Sequence, residues 1–246
     1  MRLRRPSERR SLSRSATRAL DVLELFGEIR LPLRAVEIAR RLSLHPSTAN
    51  QLLKTMVDSG HLLFDARAKS YLPSPRLGEF ARWLALSWPG GAGLRPLLRE
   101  IQQATGAVVT ITTANDLFMQ VIDHACPPGR DPERGLGVSV FGSAIGSAWL
   151  STIDDAEIAR LADRARLPAD RLPRILADVA AIRRDGFAEG PSGDVYWSVA
   201  VPLSGLQVPA VLGLAGDEAT VRDDVPGHVA AIRAAIDRWR RAGARS

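Results

Sequence analysis

Apolar residues recur at Ala19, Val22, Leu23 and Phe26, the i, i+3, i+4, i+7 spacing of one helix face. They predict a helix from about Thr17 to Phe26, ended by Gly27. After a short Leu31-Pro32-Leu33 segment, a second helix is expected over Val36–Leu42, with Ile38, Ala39 and Leu42 inward and no good N-cap side chain. Ser43-Leu44-His45 reads as a tight turn. Pro46 then opens a third helix, where the missing proline N–H costs nothing, and Ser59-Gly60 closes it. Its inward residues are Ala49, Leu52, Leu53, Met56 and Val57. Past Gly60 the period falls from 3.6 to 2. Residues 61–65 and 70–73 read as strands of a hairpin around Ala66-Arg67-Ala68-Lys69. A further helix, Leu77–Ser87, is broken by Pro89-Gly90-Gly91.

Beyond that break, helices are expected at 94–105, 143–152, 155–165, 172–185 and 225–241, and strands at 107–113, 118–123, 137–141, 195–203 and 208–214. Prolines and glycines make 126–135 a loop. The mixture argues an α+β fold with a mainly antiparallel sheet. The expected organisation is a mobile basic arm (1–13), a winged helix-turn-helix (14–76), a linker helix (77–91) and a second domain (92–246).

Two helices, a tight turn, a third helix and a hairpin form the pattern of a winged helix-turn-helix. A helix fits the major groove of duplex DNA, and the wing reaches along the backbone. Burying the apolar face of the third helix turns Ser47, Thr48, Asn50, Gln51 and Lys54 outward. Asn and Gln can pair bidentately with adenine edges, Ser and Thr can bond bases or phosphates, and Lys54 can neutralise a phosphate. Arg67 and Lys69 at the hairpin tip, with Arg14 and Arg18 near the arm, are further phosphate partners. Charge supports this. Residues 1–78 hold 15 Lys and Arg against 7 Asp and Glu, a net +8, whereas the remaining residues net −2. Such asymmetry suggests a polyanion-binding part joined to a part with another task.

Other chemistry is scarce. His45, His61, His124 and His228 have no metal-ligand spacing, and Cys126 is the only cysteine, so neither a metal nor another cofactor is expected. Asp123-His124 with Cys126 lacks an orienting partner, and Gly142-Ser143-Ala144-Ile145-Gly146 places its serine off-centre for a nucleophile elbow. No enzyme is therefore expected. No apolar run reaches 18 residues and no signal core follows the basic N-terminus, so the expected location is the cytoplasm, away from membranes.

The run Arg14-Ser15-Ala16-Thr17-Arg18-Ala19-Leu20-Asp21-Val22-Leu23-Glu24-Leu25-Phe26 resembles the opening of IclR-type transcriptional regulators. So do Glu37–Leu42, Leu44–Met56, and Ser59-Gly60-His61-Leu62 through Tyr71–Leu77. Gly142–Ala148, Arg183–Phe187 and Ser198–Leu203 resemble later landmarks of that family. The resemblance implies a GAF-like effector domain behind the winged helix, operator binding as a homodimer or tetramer, and response to a small organic effector. By position it implies a pocket of Ser143, Ala144, Ile145, Glu189, Ser198, Gly213 and Ala215. Trp197, beside Ser198 on the same strand, is a further candidate for the pocket wall. Ser198 shares a strand face with Tyr196, so both hydroxyls point inward if that face does. The chain departs from the family where Ser198 replaces a frequent cysteine, where Gly213 and Ala215 replace small hydroxyl residues, and where Ser147 replaces a usual lysine. Fewer donors favour a bulky, aromatic or largely apolar ligand over a small acid. The alternatives are a constitutive DNA-binding protein whose second domain only oligomerises, and an enzyme with a DNA-binding appendage.

Overall fold

The computed structural model describes residues 13–86, 94–128, 137–192, 196–203, 206 and 208–243. Residues 1–12 of the expected arm, Ser87, Trp88, the Pro89-Gly90-Gly91 break, loop residues 129–136 and Val195 lie outside them, as do the side chains of Trp83 and Leu84. The described chain divides into two compact units, one within Pro6–Leu84 and the other within Ala85–Ser246.

In the first unit, Ser13 caps α1 (Arg14–Ile29), its hydroxyl accepting the Ala16 N–H at 3.4 Å. α1 runs past Gly27, which was expected to end it. Gly27 is solvent-facing, and the helix closes at Arg30, whose φ of 56° turns its N–H onto the Phe26 carbonyl. α2 (Ala35–Arg41) compensates for its poor N-cap side chain, because the Glu37 carboxylate accepts the Arg34 backbone N–H at 2.7 Å. The turn to α3 (Pro46–Asp58) uses Ser43 at φ 51°. β1 (Leu62–Asp65) and β2 (Ser70–Pro73) pair antiparallel, and Leu33 adds a bridge to Tyr71 through bonds of 3.0 and 2.8 Å. Val22, Phe26, Leu33, Ile38, Leu53, Met56 and Leu62 form one core. α4 (Arg76–Leu86) follows the hairpin.

The second unit begins with α5 (Arg95–Thr105), β3 (Val108–Asn115), β4 (Phe118–Ala125) and β5 (Val138–Ser139). It continues with α6 (Ala144–Leu150), α7 (Asp155–Arg164), α8 (Arg171–Asp185), β6 (Ala188–Ser192), β7 (Tyr196–Leu203) and β8 (Ala210–Asp217). A short α9 (Glu218–Val221), a 3-10 turn (Arg222–Asp224) and α10 (Val225–Gly243) end it. The sheet order is β5-β4-β3-β8-β7-β6, every neighbouring pair antiparallel.

Side-chain alternation sorts this sheet into two faces. Val109, Ile111, Val199, Val201, Leu212 and Leu214 share a core with α5 and α10, including Ile232 and Trp239. Ala200 and Val211 face the other way and join a second core with α6, α7 and α8, including Ala148, Ile158 and Val179. The fold is α+β, with helices on both faces of an antiparallel sheet. Two expectations change. The strand expected over 137–141 shrinks to the two residues of β5, because the chain turns at Val140–Gly142 to enter α6. β6 was not expected at all: Ala188-Glu189-Gly190-Pro191-Ser192 has low strand propensity, and it forms because it pairs along β7 at the sheet edge.

Arg183 explains one sequence landmark. Its guanidinium donates to the carbonyls of Ser151 at 3.2 Å and Ile153 at 2.5 Å and to the Asp155 carboxylate at 2.8 Å, tying α8 to the α6–α7 connection. Arg233 donates to the Asp185 carbonyl at 2.6 Å beside Gly186, whose φ of 76° ends α8.

Candidate nucleic-acid interface and ligand cavity

Ala49, Leu53 and Met56 are buried on α3, so helical geometry turns the opposite side to solvent. Ser47, Asn50, Gln51 and Lys54 are exposed there, and Thr48 is half-buried. No acidic side chain precedes Asp58 on α3. The helix start is held by His45, whose Nδ1 accepts the Ser47 N–H at 3.4 Å and lies 2.8 Å from the Ser47 hydroxyl. Sequence reading missed this cap, because histidine is not among the common N-cap residues.

The wing tip is fixed by Asp65, whose carboxylate accepts the N–H groups of Arg67 at 2.8 Å and Ala68 at 3.1 Å. Lys69 adopts φ 52°, and both Arg67 and Lys69 are exposed. Cross-strand contact of the tilted Phe64 and Tyr71 rings, with centroids 4.8 Å apart, stiffens the hairpin behind them. Arg14 and Arg18 lie one turn apart at the start of α1, Arg14 exposed and Arg18 half-buried. These groups combine donors suited to base edges with cations suited to phosphates.

The second unit contains a cavity of about 280 Å³ between the sheet and α6. Val108, Thr110 and Thr112 of β3, Ser198 of β7, and Gly213 and Ala215 of β8 line it from the sheet, and Gly142, Ser143 and Ile145 from the start of α6. Ser143 is the N-cap of that helix. Its hydroxyl donates to the Ser139 carbonyl at 2.8 Å and accepts the Gly146 N–H at 3.1 Å. Thr112 and Ser198 are buried, at 0% and 6% exposure. A Cβ at Gly213 would come within 2.7 Å of the Ile145 side chain and 2.9 Å of the Thr110 hydroxyl, so glycine there lets Ile145 approach the sheet.

Of the expected pocket residues, Ser143, Ile145, Ser198, Gly213 and Ala215 come together around this cavity. Ala144 is instead buried in the α6 core. Glu189 pairs with Val199, and Trp197 packs on the α5–α10 side, so both face away from the cavity across the sheet. There the Trp197 Nε1–H donates to the Glu189 carboxylate at 3.1 Å, and the Arg222 guanidinium sits 4.7 Å from the indole ring centroid. For Glu189 this follows from β6, whose register the sequence did not reveal; Trp197 alternates with the cavity-lining Ser198 along β7. Tyr196 is 47% exposed at the end of β7, so its hydroxyl does not join that of Ser198. Thr110 and Thr112 were missed as lining residues; their spacing of two along the strand is the signal that groups them on one face.

Among the described residues, no group of three His, Cys, Asp or Glu side chains is arranged to hold a metal ion, and no helix is long and apolar enough to cross a membrane.

Residues 15–66 match the family model of the IclR helix-turn-helix domain. The chain is 26% identical over 234 residues to the HTH-type transcriptional regulator BhcR of Paracoccus denitrificans, covering 85% of this chain and 78% of that one. It is 23% identical over 183 residues to the HTH-type transcriptional regulator XynR of Escherichia coli, covering 71% and 73%. Among solved structures, an IclR transcriptional regulator from Alicyclobacillus acidocaldarius shares its fold with a TM-score of 0.57 at 21% identity, covering 94% of this chain and 99% of that one. The IclR protein of Thermotoga maritima does so with a TM-score of 0.55 at 16% identity, covering 93% and 98%.

Proposed function

From its standing as a transcriptional regulator of the IclR type with a DNA-binding helix-turn-helix, we propose that this chain binds a specific operator and that a small organic ligand in its second unit modulates that binding. The observation that carries the first half is the outward face of α3, where Asn50, Gln51 and Lys54 stand exposed with no acidic neighbour before Asp58. Asn50 and Gln51 read base edges, Ser47 and Thr48 bond bases or phosphates at the helix start, and Lys54 holds a phosphate. Arg67 and Lys69 follow the backbone from the wing, and Arg14 and Arg18 add contacts from α1. The cavity beside Ser143 and Ser198 supports the second half, because a concave space lined by small residues and hydroxyls suits an organic molecule. The working form is a dimer or tetramer in the cytoplasm. Phe80, 61% exposed on α4, is one apolar group that an interface would cover.

Gln51→Ala should cost about 1–3 kcal/mol per half-site on the best site and relax base preference at one position in each half-site, whereas Lys54→Ala should weaken all sequences evenly. Fluorescence anisotropy on an operator and its single-base variants measures both. Unchanged affinity and preference in Gln51→Ala would exclude this face of α3 from base readout.

A further inference from the structure

We propose that Ile145 and Gly213 are a matched pair that sets the depth of the cavity, with Ile145 as the stop that limits it to compact ligands. This rests on the reading of the cavity as a ligand site and names the residue that determines which sizes it takes.

Gly213 lies in the middle of β8, paired with Thr110 on one side and Ala200 on the other, and it does not adopt a positive φ. Glycine weakens a strand interior, so its use there points to the close approach of a neighbour rather than to a special conformation. The neighbour is Ile145. A Cβ at position 213 would stand 2.7 Å from the Ile145 Cγ2 and 2.9 Å from the Thr110 hydroxyl oxygen. Both are well inside the roughly 3.5–4.0 Å of an ordinary carbon contact. Ile145 therefore occupies space that a side chain at 213 would claim.

Ile145 is also held in place. The Ser143 hydroxyl caps the helix start by accepting the Gly146 N–H at 3.1 Å. Gly146 in turn lies so near the Val140 backbone that a Cβ on it would come within 2.7 Å of the carbonyl carbon. The first turn of α6 thus sits at close approach on both sides of Ile145. One side of Ile145 packs on the core shared with α7 and α8, and the other lines the cavity together with Gly213 and Thr110. A β-branched side chain so confined has little rotamer freedom and acts as a stiff wall. The volume of about 280 Å³ lies at the low end of small-molecule sites, roughly 300–1,000 Å³. The ligand is therefore compact, not bulky as fewer donors alone had suggested.

Isothermal titration of the full-length protein with 4-alkylphenols of increasing tail length tests the size limit. Affinity should rise about fourfold per methylene until the tail meets Ile145, and then stop rising. The rise should continue for about one more methylene in Ile145→Val and about two more in Ile145→Ala. Thermal melts test the pairing without any ligand. Gly213→Ala should lower the melting temperature of the wild-type protein, and should do so by less than half as much in the Ile145→Ala background, where the new carbon enters vacated space. A break at the same tail length in the wild type and both Ile145 variants would overturn the size role and leave the ligand reading standing. An equal cost of Gly213→Ala in the two backgrounds would overturn the pairing. No binding of any alkylphenol, to the wild type or to either enlarged variant, would overturn the ligand reading itself and the inference with it.

Discussion

Gly146→Ala should lower the stability of the second unit by about 3 kcal/mol, a fall in melting temperature of roughly 6–12 °C. Gly146 lies in the first turns of α6, and a Cβ there would fall onto the carbonyl oxygen of Val140 and within 2.7 Å of its carbonyl carbon. The obstacle is backbone rather than the free end of a side chain, and Val140 is itself fully buried, so neither partner can step aside cheaply. α6 must retreat from the turn at Val140 that leads into it, which also loosens the Ser143 cap. Gly27→Ala is the control. That glycine sits inside α1 with nothing within 4 Å of the added carbon, so alanine should stabilise by about 0.5–1 kcal/mol through helix propensity alone. Thermal melts of both variants decide it; a Gly146→Ala protein that melts with the wild type would mean that α6 does not need its close approach.

Operator affinity should fall by about 10³–10⁵-fold between 50 and 200 mM salt if a dimer neutralises six to ten phosphates. Lys54, Arg67, Lys69, Arg14 and Arg18 give each protomer five cations for this purpose, within a span of residues 1–78 whose net charge is +8. The exposure of Lys54, Arg67 and Lys69 leaves these side chains open to meet DNA. Removing Lys69, once in each protomer of the dimer, should flatten the logarithmic salt slope by about two units. Anisotropy titrations at a series of salt concentrations give the slope directly. A flat response would mean that these cations do not face phosphates.

The first unit is legible in the sequence because its core obeys one period at a time. Val22, Phe26, Ile38, Leu53 and Met56 repeat at helical spacing, and the change to period 2 after Gly60 marks the wing. Errors there are local: Gly27 can sit mid-helix because it faces water, and Arg30 takes the left-handed turn expected of a glycine. The cavity is less legible. It is assembled from β3, β7, β8 and the start of α6, and which face of each strand looks inward depends on helices far away in sequence. Ser143, Ser198 and Gly213 were found through resemblance at positions where one residue directly contributes to the wall. Glu189 was placed wrongly with respect to the cavity because β6 carries no strand signal, so its register with β7 could not be read, and Trp197 because, next to Ser198 on β7, it alternates to the opposite face. A shift of one residue along a strand sends the side chain to the opposite face.

Sequencing the genomic DNA fragments retained by the purified protein tests the central claim most directly. The account predicts strong enrichment of one near-palindromic sequence, its half-sites separated by about 10 base pairs or a multiple of that, as two recognition helices related by a two-fold axis require. Gln51→Ala should blur one position in each half-site and leave the spacing intact. Retention of fragments with no sequence enriched over the input would contradict sequence-specific regulation by this protein.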